Sequence, residues 1–174
     1  ITFNTSPGSV PIHLAELIVL CQKRGEDITE VRGTAGVSSF SNFFEQRDGQ
    51  PFDLSFKVSL DGFEYLVRNK MKFYYQIGSQ HCRESGMNLA YELGIALAIL
   101  KEVCDGMLAR GLKIDDFAPR LTNLASIGMR FLEEIAKIRA MRKMWAKMAR
   151  ERYGAKNLRS CHLNISVHTS GTSL

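Results

Sequence analysis

The chain has 174 residues, a formal net charge of +5, 45% hydrophobic and 24% charged residues. That is enough length for a real core and an ordinary globular composition. No apolar run approaches the ~20 residues a membrane span needs, and the opening Ile1-Thr2-Phe3-Asn4-Thr5 lacks the basic start and apolar stretch of a signal peptide. A membrane role is therefore not expected. The cysteines Cys21, Cys82, Cys104 and Cys161 are widely spaced with no C-x-x-C pair, which argues against a metal site or a disulfide framework. Reduced thiols and a cytoplasmic location are the expectation.

Strand-like and helical runs alternate. Residues 1–5 read as a strand, closed by the turn Ser6-Pro7-Gly8-Ser9. Residues 11–24 read as a helix whose Leu14, Leu17, Ile18 and Cys21 form one apolar face. A short strand follows at 28–34, then a Ser-rich stretch with a helical turn near 40–46. Residues 60–71 read as a helix with Phe63, Leu66 and Val67 inward, and 72–79 as an aromatic-rich strand. Residues 88–110 form a strong helical pattern stopped by Gly111. Residues 117–124 suit a strand. The longest helical pattern, 128–153, spaces Leu132, Ile135, Met141, Met144, Trp145 and Met148 for one face and offers Glu133 and Lys137 as an i,i+4 pair. The last strand is expected at 162–168.

Repeated βα units argue for a parallel sheet with right-handed crossovers. A doubly wound sheet and part of a (β/α)8 barrel both satisfy the pattern. No G-x-G-x-x-G or G-x-x-x-x-G-K-[ST] string supports a dinucleotide or P-loop site. The chain starts without Met on a strand-like run and closes just past another, so it reads as part of a longer protein. The excess of positive charge comes largely from 137–156, from Lys137 and Arg139 to Lys156. A nucleic-acid face there is disfavoured, because those residues surround a helix whose apolar side is claimed by packing.

Several strings carry a resemblance: Ile114-Asp115-Asp116-Phe117-Ala118-Pro119-Arg120-Leu121, Phe131-Leu132-Glu133-Glu134-Ile135-Ala136-Lys137-Ile138-Arg139-Ala140, Trp145-Ala146, Glu151-Arg152-Tyr153-Gly154-Ala155-Lys156 and Thr169-Ser170-Gly171. In order and spacing the chain resembles the catalytic barrel of the adenosylcobalamin-dependent acyl-CoA mutases, the methylmalonyl-CoA mutase family. The resemblance is strongest over 88–174 and continues back to the first residue. It implies an α/β fold, part of a (β/α)8 TIM-type barrel with parallel strands, occupying 1–174 as one domain without the cobalamin-binding domain. It implies an isomerase: homolysis of a cobalt–carbon bond yields an adenosyl radical, which abstracts a substrate hydrogen before a group migrates between neighbouring carbons. Adenosylcobalamin would be bound with a separate domain or subunit, since no D-x-H-x-x-G string occurs. The implied partners are an acyl-CoA substrate, that cobalamin-binding domain or subunit and other copies in an oligomer. The alternative is a non-catalytic or degenerate homologue stabilising an active mutase partner.

The resemblance also assigns residues. His81, in Gly78-Ser79-Gln80-His81, matches the S-G-Y-H histidine that hydrogen-bonds the thioester carbonyl, where a donor stabilises developing charge. A partly buried histidine capping a strand end is the other reading. Arg120 matches an arginine that contacts CoA, and Thr122 a nearby serine. A rim salt bridge is the alternative for Arg120. Thr34 corresponds to the threonine of G-T-I-Q, or is a simple turn hydroxyl. Departures from the pattern are several: Gln80 replaces the tyrosine, Gly36 the glutamine of G-T-I-Q, and Gln46 the carboxylate-clamping arginine, with Arg47 one position off. Asn164, Ser166 and His168 replace the Arg, His and Gln of R-x-H-x-Q-T-S-G. His168 is open to two readings, a new polar contact to cofactor or substrate, or a strand-end residue.

Overall fold

The computed structural model describes residues 2–3, 10–35, 39–40, 43 and 51–171. The expected helical turn at 40–46, and Gly36, Gln46 and Arg47, fall wholly or largely outside them. The chain divides into two compact units, Ile1–Gln76 and Ile77–Leu174.

In the first unit, strands β1 (Thr2–Phe3), β2 (Arg32–Ala35) and β3 (Lys72–Gly78, whose last two residues belong to the second unit) run parallel, with Thr2 beside Thr34 and Thr34 beside Tyr74. Helix α1 (Val10–Arg24) buries Val10, Leu14, Leu17 and Cys21, close to the expected face. They pack with Leu66, Met71 and Phe73. Helix α2 (Phe52–Arg68) starts eight residues earlier than its apolar pattern suggests. Phe63 stacks on Tyr75 at 4.6 Å, and the buried Ser59 hydroxyl bonds the Tyr75 hydroxyl at 2.5 Å. Burial pushes the Tyr75 phenol up to about 12. Residues 28–30 form a 3-10 turn capped by Asp27, so the expected strand is confined to β2.

The second unit places β4 (Leu121–Ile127) parallel to β5 (Asn164–Thr169), with Thr122 beside Asn164 and Ser126 beside His168. Helices α3 (Gln80–Glu84), α4 (Leu89–Ala109), α5 (Ile114–Phe117) and α6 (Phe131–Lys147) connect and cover them. Asn88 caps α4 by accepting from the Tyr91 amide at 3.0 Å, and Gly111 leaves it at φ +80°, a conformation that favours glycine. The core includes Ile99, Leu100, Val103, Met107, Phe117, Leu121, Met141 and Trp145. Trp145 Nε1 donates to the Ser160 carbonyl at 3.0 Å.

Two expectations need correction. Residues 117–120 are not strand: α5 and a 3-10 turn precede β4, because Asp116 and Pro119 favour a helical turn. Asp116 accepts from the Lys113 amide at 2.8 Å, and Asp115 from the Ser160 hydroxyl and the Lys156 and Asn157 amides at 2.7, 3.0 and 3.2 Å. Both carboxylates build the scaffold that presents Arg120. The inward face of α6 is only partly the expected apolar row: Met141 and Trp145 belong to it. Leu132 is 78% exposed, and Ile135 and Met144 are exposed too, while Glu134, Lys137, Met141 and Trp145 are buried. Lys137 does not pair with Glu133, which meets Arg130 instead; it lies 2.7 Å from both Glu92 and Glu134. A buried ion cluster therefore takes positions that a hydrophobic count assigns to solvent.

A succession of parallel strands, with helices after β1 to β4, is the order of a (β/α)8 barrel segment. Among the described residues no helix is long and apolar enough to cross a membrane. The four cysteines are unpaired with one another and buried.

Candidate functional site

Alternation along each strand separates two faces. In β3, Phe73 and Tyr75 pack on α1 and α2 residues, leaving Lys72, Tyr74 and Gln76 on the other face. The register places Arg32 and Thr34 of β2 beside Lys72 and Tyr74, on that same polar face. Thr34 is half-buried there, in the first unit.

The second unit repeats the division. Asn123 Nδ2 reaches Met141 Sδ on α6 at 3.2 Å, so Leu121, Asn123 and Ala125 form the helix side of β4. Thr122, Leu124 and Ser126 lie opposite, in register with Asn164, Ser166 and His168 of β5. This face carries Thr, Ser, Asn, Ser and His with a single leucine. The interior of a closed barrel is normally filled by branched apolar side chains. This face is polar instead.

Candidate groups sit at both ends of that face. Arg120, half-buried, precedes β4, and burial pushes its guanidinium pKa down. Thr122 is the second residue of the strand and is buried. Ser126 lies six positions after Arg120, roughly 20 Å of extended chain. At the far end, the Ser79 amide just past β3 donates to the Leu124 carbonyl at 3.0 Å, and α3 begins at once. Gln80 and His81 open this helix, which the sequence pattern alone did not reveal because five residues carry no periodicity. Gln80 Nε2 and His81 Nε2 are 2.9 Å apart. Gln80 is buried, and its Oε1 has no hydrogen-bond partner among the described residues. Turning the amide over exchanges the two atoms and still leaves one unpartnered. The neighbouring Cys82 thiol is pushed up by burial, with Glu92 adding to the shift, which disfavours a thiolate nucleophile.

One turn after His81, Glu84 ties α3 to both strand ends. Its Oε1 accepts from Ser126 Oγ at 2.6 Å and its Oε2 from the Gly171 amide at 2.9 Å. The Ser126 hydroxyl, with burial opposing, leads in holding the Glu84 carboxyl below its usual value; Ser170, Gly171 and His168 add to it. His168 Nε2 is 2.9 Å from Ser126 Oγ and 3.7 Å from Glu84 Oε1. A Cβ on Gly171 would stand 3.1 Å from Glu84 Oε2, so glycine lets the backbone approach the carboxylate. His81, Gln80 and His168 thus gather around α3, whereas Arg120 and Thr122 lie at the opposite end of β4. Sequence reading missed Glu84, Ser126 and the buried Lys137, since no spacing rule joins positions 84, 126 and 168.

The family model for methylmalonyl-CoA mutase matches residues 1–174. The chain belongs to the methylmalonyl-CoA mutase family. It is 36% identical over 172 residues to the mitochondrial methylmalonyl-CoA mutase of Homo sapiens, covering 98% of this chain and 23% of that protein. The methylmalonyl-CoA mutase of Cereibacter sphaeroides is 34% identical over 172 residues, covering 98% of this chain and 24% of its own length. The 2-hydroxyisobutanoyl-CoA mutase large subunit of Aquincola tertiaricarbonis is 30% identical over 176 residues, covering 100% of this chain and 31% of that subunit. The chain therefore spans between about a quarter and a third of the length of these family members.

Proposed function

We propose that this chain is a barrel segment of an acyl-CoA mutase, an isomerase that moves a group between adjacent carbons of an acyl-CoA thioester. The polar face of β4 and β5 carries this reading. It is a run of small hydrogen-bonding side chains about as long as an extended pantetheine arm, with a cation at one end and imidazoles at the other. Arg120 and Thr122 bind the CoA portion, the guanidinium serving phosphate or carbonyl oxygens. His81 donates to the thioester carbonyl and stabilises charge that develops on it. Gln80 supplies a second polar contact through its unpartnered amide atom, and His168 completes the substrate contacts of the second unit; Thr34 is a separate candidate contact in the first.

Adenosylcobalamin supplies the radical when it is bound. Residues 1–174 contain no D-x-H-x-x-G string, and among the described residues no three His, Cys, Asp or Glu side chains cluster to hold a metal. The donor set here does not fit the cobalt; it fits the thioester. The cobalt ligand belongs to another part of the protein or to a second subunit, as the name of the Aquincola tertiaricarbonis large subunit suggests. Gln46 stands where the family clamps a carboxylate with arginine, which favours an acyl group without a second carboxylate.

The test is isomerisation of acyl-CoA thioesters by the whole protein with adenosylcobalamin. His81→Ala should lower kcat by about 10²–10³, the usual cost of one donor to a developing oxyanion, with KM little changed. An unchanged rate removes His81 from the mechanism, and no turnover of any acyl-CoA by the unaltered protein removes the mutase reading.

A further inference from the structure

Ser126 has all its polar groups engaged. Its amide donates to Glu92 Oε1 at 3.1 Å, and its carbonyl accepts from Lys137 Nζ at 2.5 Å. Its hydroxyl meets Glu84 Oε1 at 2.6 Å and His168 Nε2 at 2.9 Å. Ser126 is fully buried, Glu84 is 30% exposed and His168 is 43% exposed. The buried Lys137 lies between Glu92 and Glu134 and holds the strand at this residue.

Proton counting gives the chain a direction. An ionised carboxylate accepts only, so the single hydroxyl proton of Ser126 goes to Glu84. Ser126 Oγ must then accept from His168, which places a proton on Nε2. In the neutral imidazole the other nitrogen, Nδ1, is an acceptor.

We propose that Ser126 is a positioning residue: it ties His168 to Glu84 so that the imidazole offers Nδ1 as an acceptor to a hydroxyl on the bound ligand. This rests on the mutase reading of the same site and narrows it, since a neutral acceptor discriminates against a carboxylate at that point. The matching hydroxyl belongs either to the acyl group or to a nucleoside sugar.

The test follows the His168 imidazole by NMR in the whole protein labelled with 15N-histidine, at a pH where the ring is neutral, with His168→Gln identifying its signals. The expected result is a slowly exchanging Nε2–H resonance that is lost in Ser126→Ala, with the unaltered protein and its thermal midpoint as the control for folding. A proton found on Nδ1, no slow resonance in the unaltered protein, or a resonance that persists in Ser126→Ala overturns the proposal. Adding 3-hydroxybutyryl-CoA, or separately adenosine, should shift the Nδ1 signal in one case and so name the source of the hydroxyl. A shift with neither, or with succinyl-CoA alone, overturns the ligand assignment. Because none of these signals requires turnover, an inactive protein with the expected resonances sinks the mutase reading and leaves the role of Ser126 standing.

Discussion

The two ends of β4 are built differently. Where the strand begins, Arg120 ends a short helical turn whose Phe117 and Ala118, like Leu121 at the start of the strand, are apolar and fully buried. The backbone of this turn is set by hydrophobic packing and by Asp115, which ties it to Lys156, Asn157 and Ser160. Where the strand ends, Ser126 is held by hydrogen bonds and a buried ion cluster. Packing fixes a backbone while leaving a long side chain freedom to follow a flexible ligand. A satisfied buried polar network fixes individual atoms, which is what a reacting centre needs. Under the proposed function, the first end serves binding and the second alignment.

The largest way to break that contrast is Lys137→Met. It leaves Glu92 buried without its cation and Glu134 with Arg83 alone at 3.7 Å, and should destabilise the protein by about 3–5 kcal/mol. A lowered urea midpoint at unchanged slope checks this, and an unaltered midpoint would mean that the network does not hold the strand end. At the other end, Arg120→Ala should raise KM for acyl-CoA about tenfold with kcat nearly intact, a loss of uniform binding. An equal fall in kcat would move Arg120 into the alignment machinery.

Acid should act mainly where carboxylates are clamped. Glu84, Asp105 and Asp115 are held below their ordinary values of 4.5, 3.8 and 3.8, each chiefly by a side-chain hydrogen bond: from Ser126, Lys101 and Ser160. A depressed carboxyl contributes stability above its ordinary value and loses it as the pH falls through that value towards the lowered one. Thermal midpoints should hold from pH 7 to about 5 and drop below about 4, less steeply in Asp115→Asn. A flat profile would contradict the clamps. The smallest effect is expected from Glu133→Gln, whose exposed pair with Arg130 contributes at most ~1 kcal/mol. Its immediate neighbour Glu134 lies in the buried cluster, so Glu134→Gln should cost clearly more in the same denaturation experiment.

Much of the scaffold was legible in the residues. Leu14, Leu17 and Cys21 at helical spacing announced the buried face of α1, and Asn88 and Gly111 marked both ends of α4. The strings around Arg120 and Ser170-Gly171 announced the family. The aromatic run Phe73-Tyr74-Tyr75 announced β3, because alternation and β propensity act within a few residues. The α6 face was misread because Glu134 and Lys137 are buried only by virtue of Glu92, 45 residues away from Lys137. Leu132 and Ile135 satisfied the period and yet face outward.

Local chemistry, which operates between neighbours in the chain, determined the alternation of strands and helices, the caps and the family strings. Tertiary structure alone decided that Glu84, Ser126 and His168 share protons, since register between parallel strands is set by crossovers of dozens of residues and leaves no mark in any short stretch. The scaffold follows from short-range propensity, and the site from long-range register.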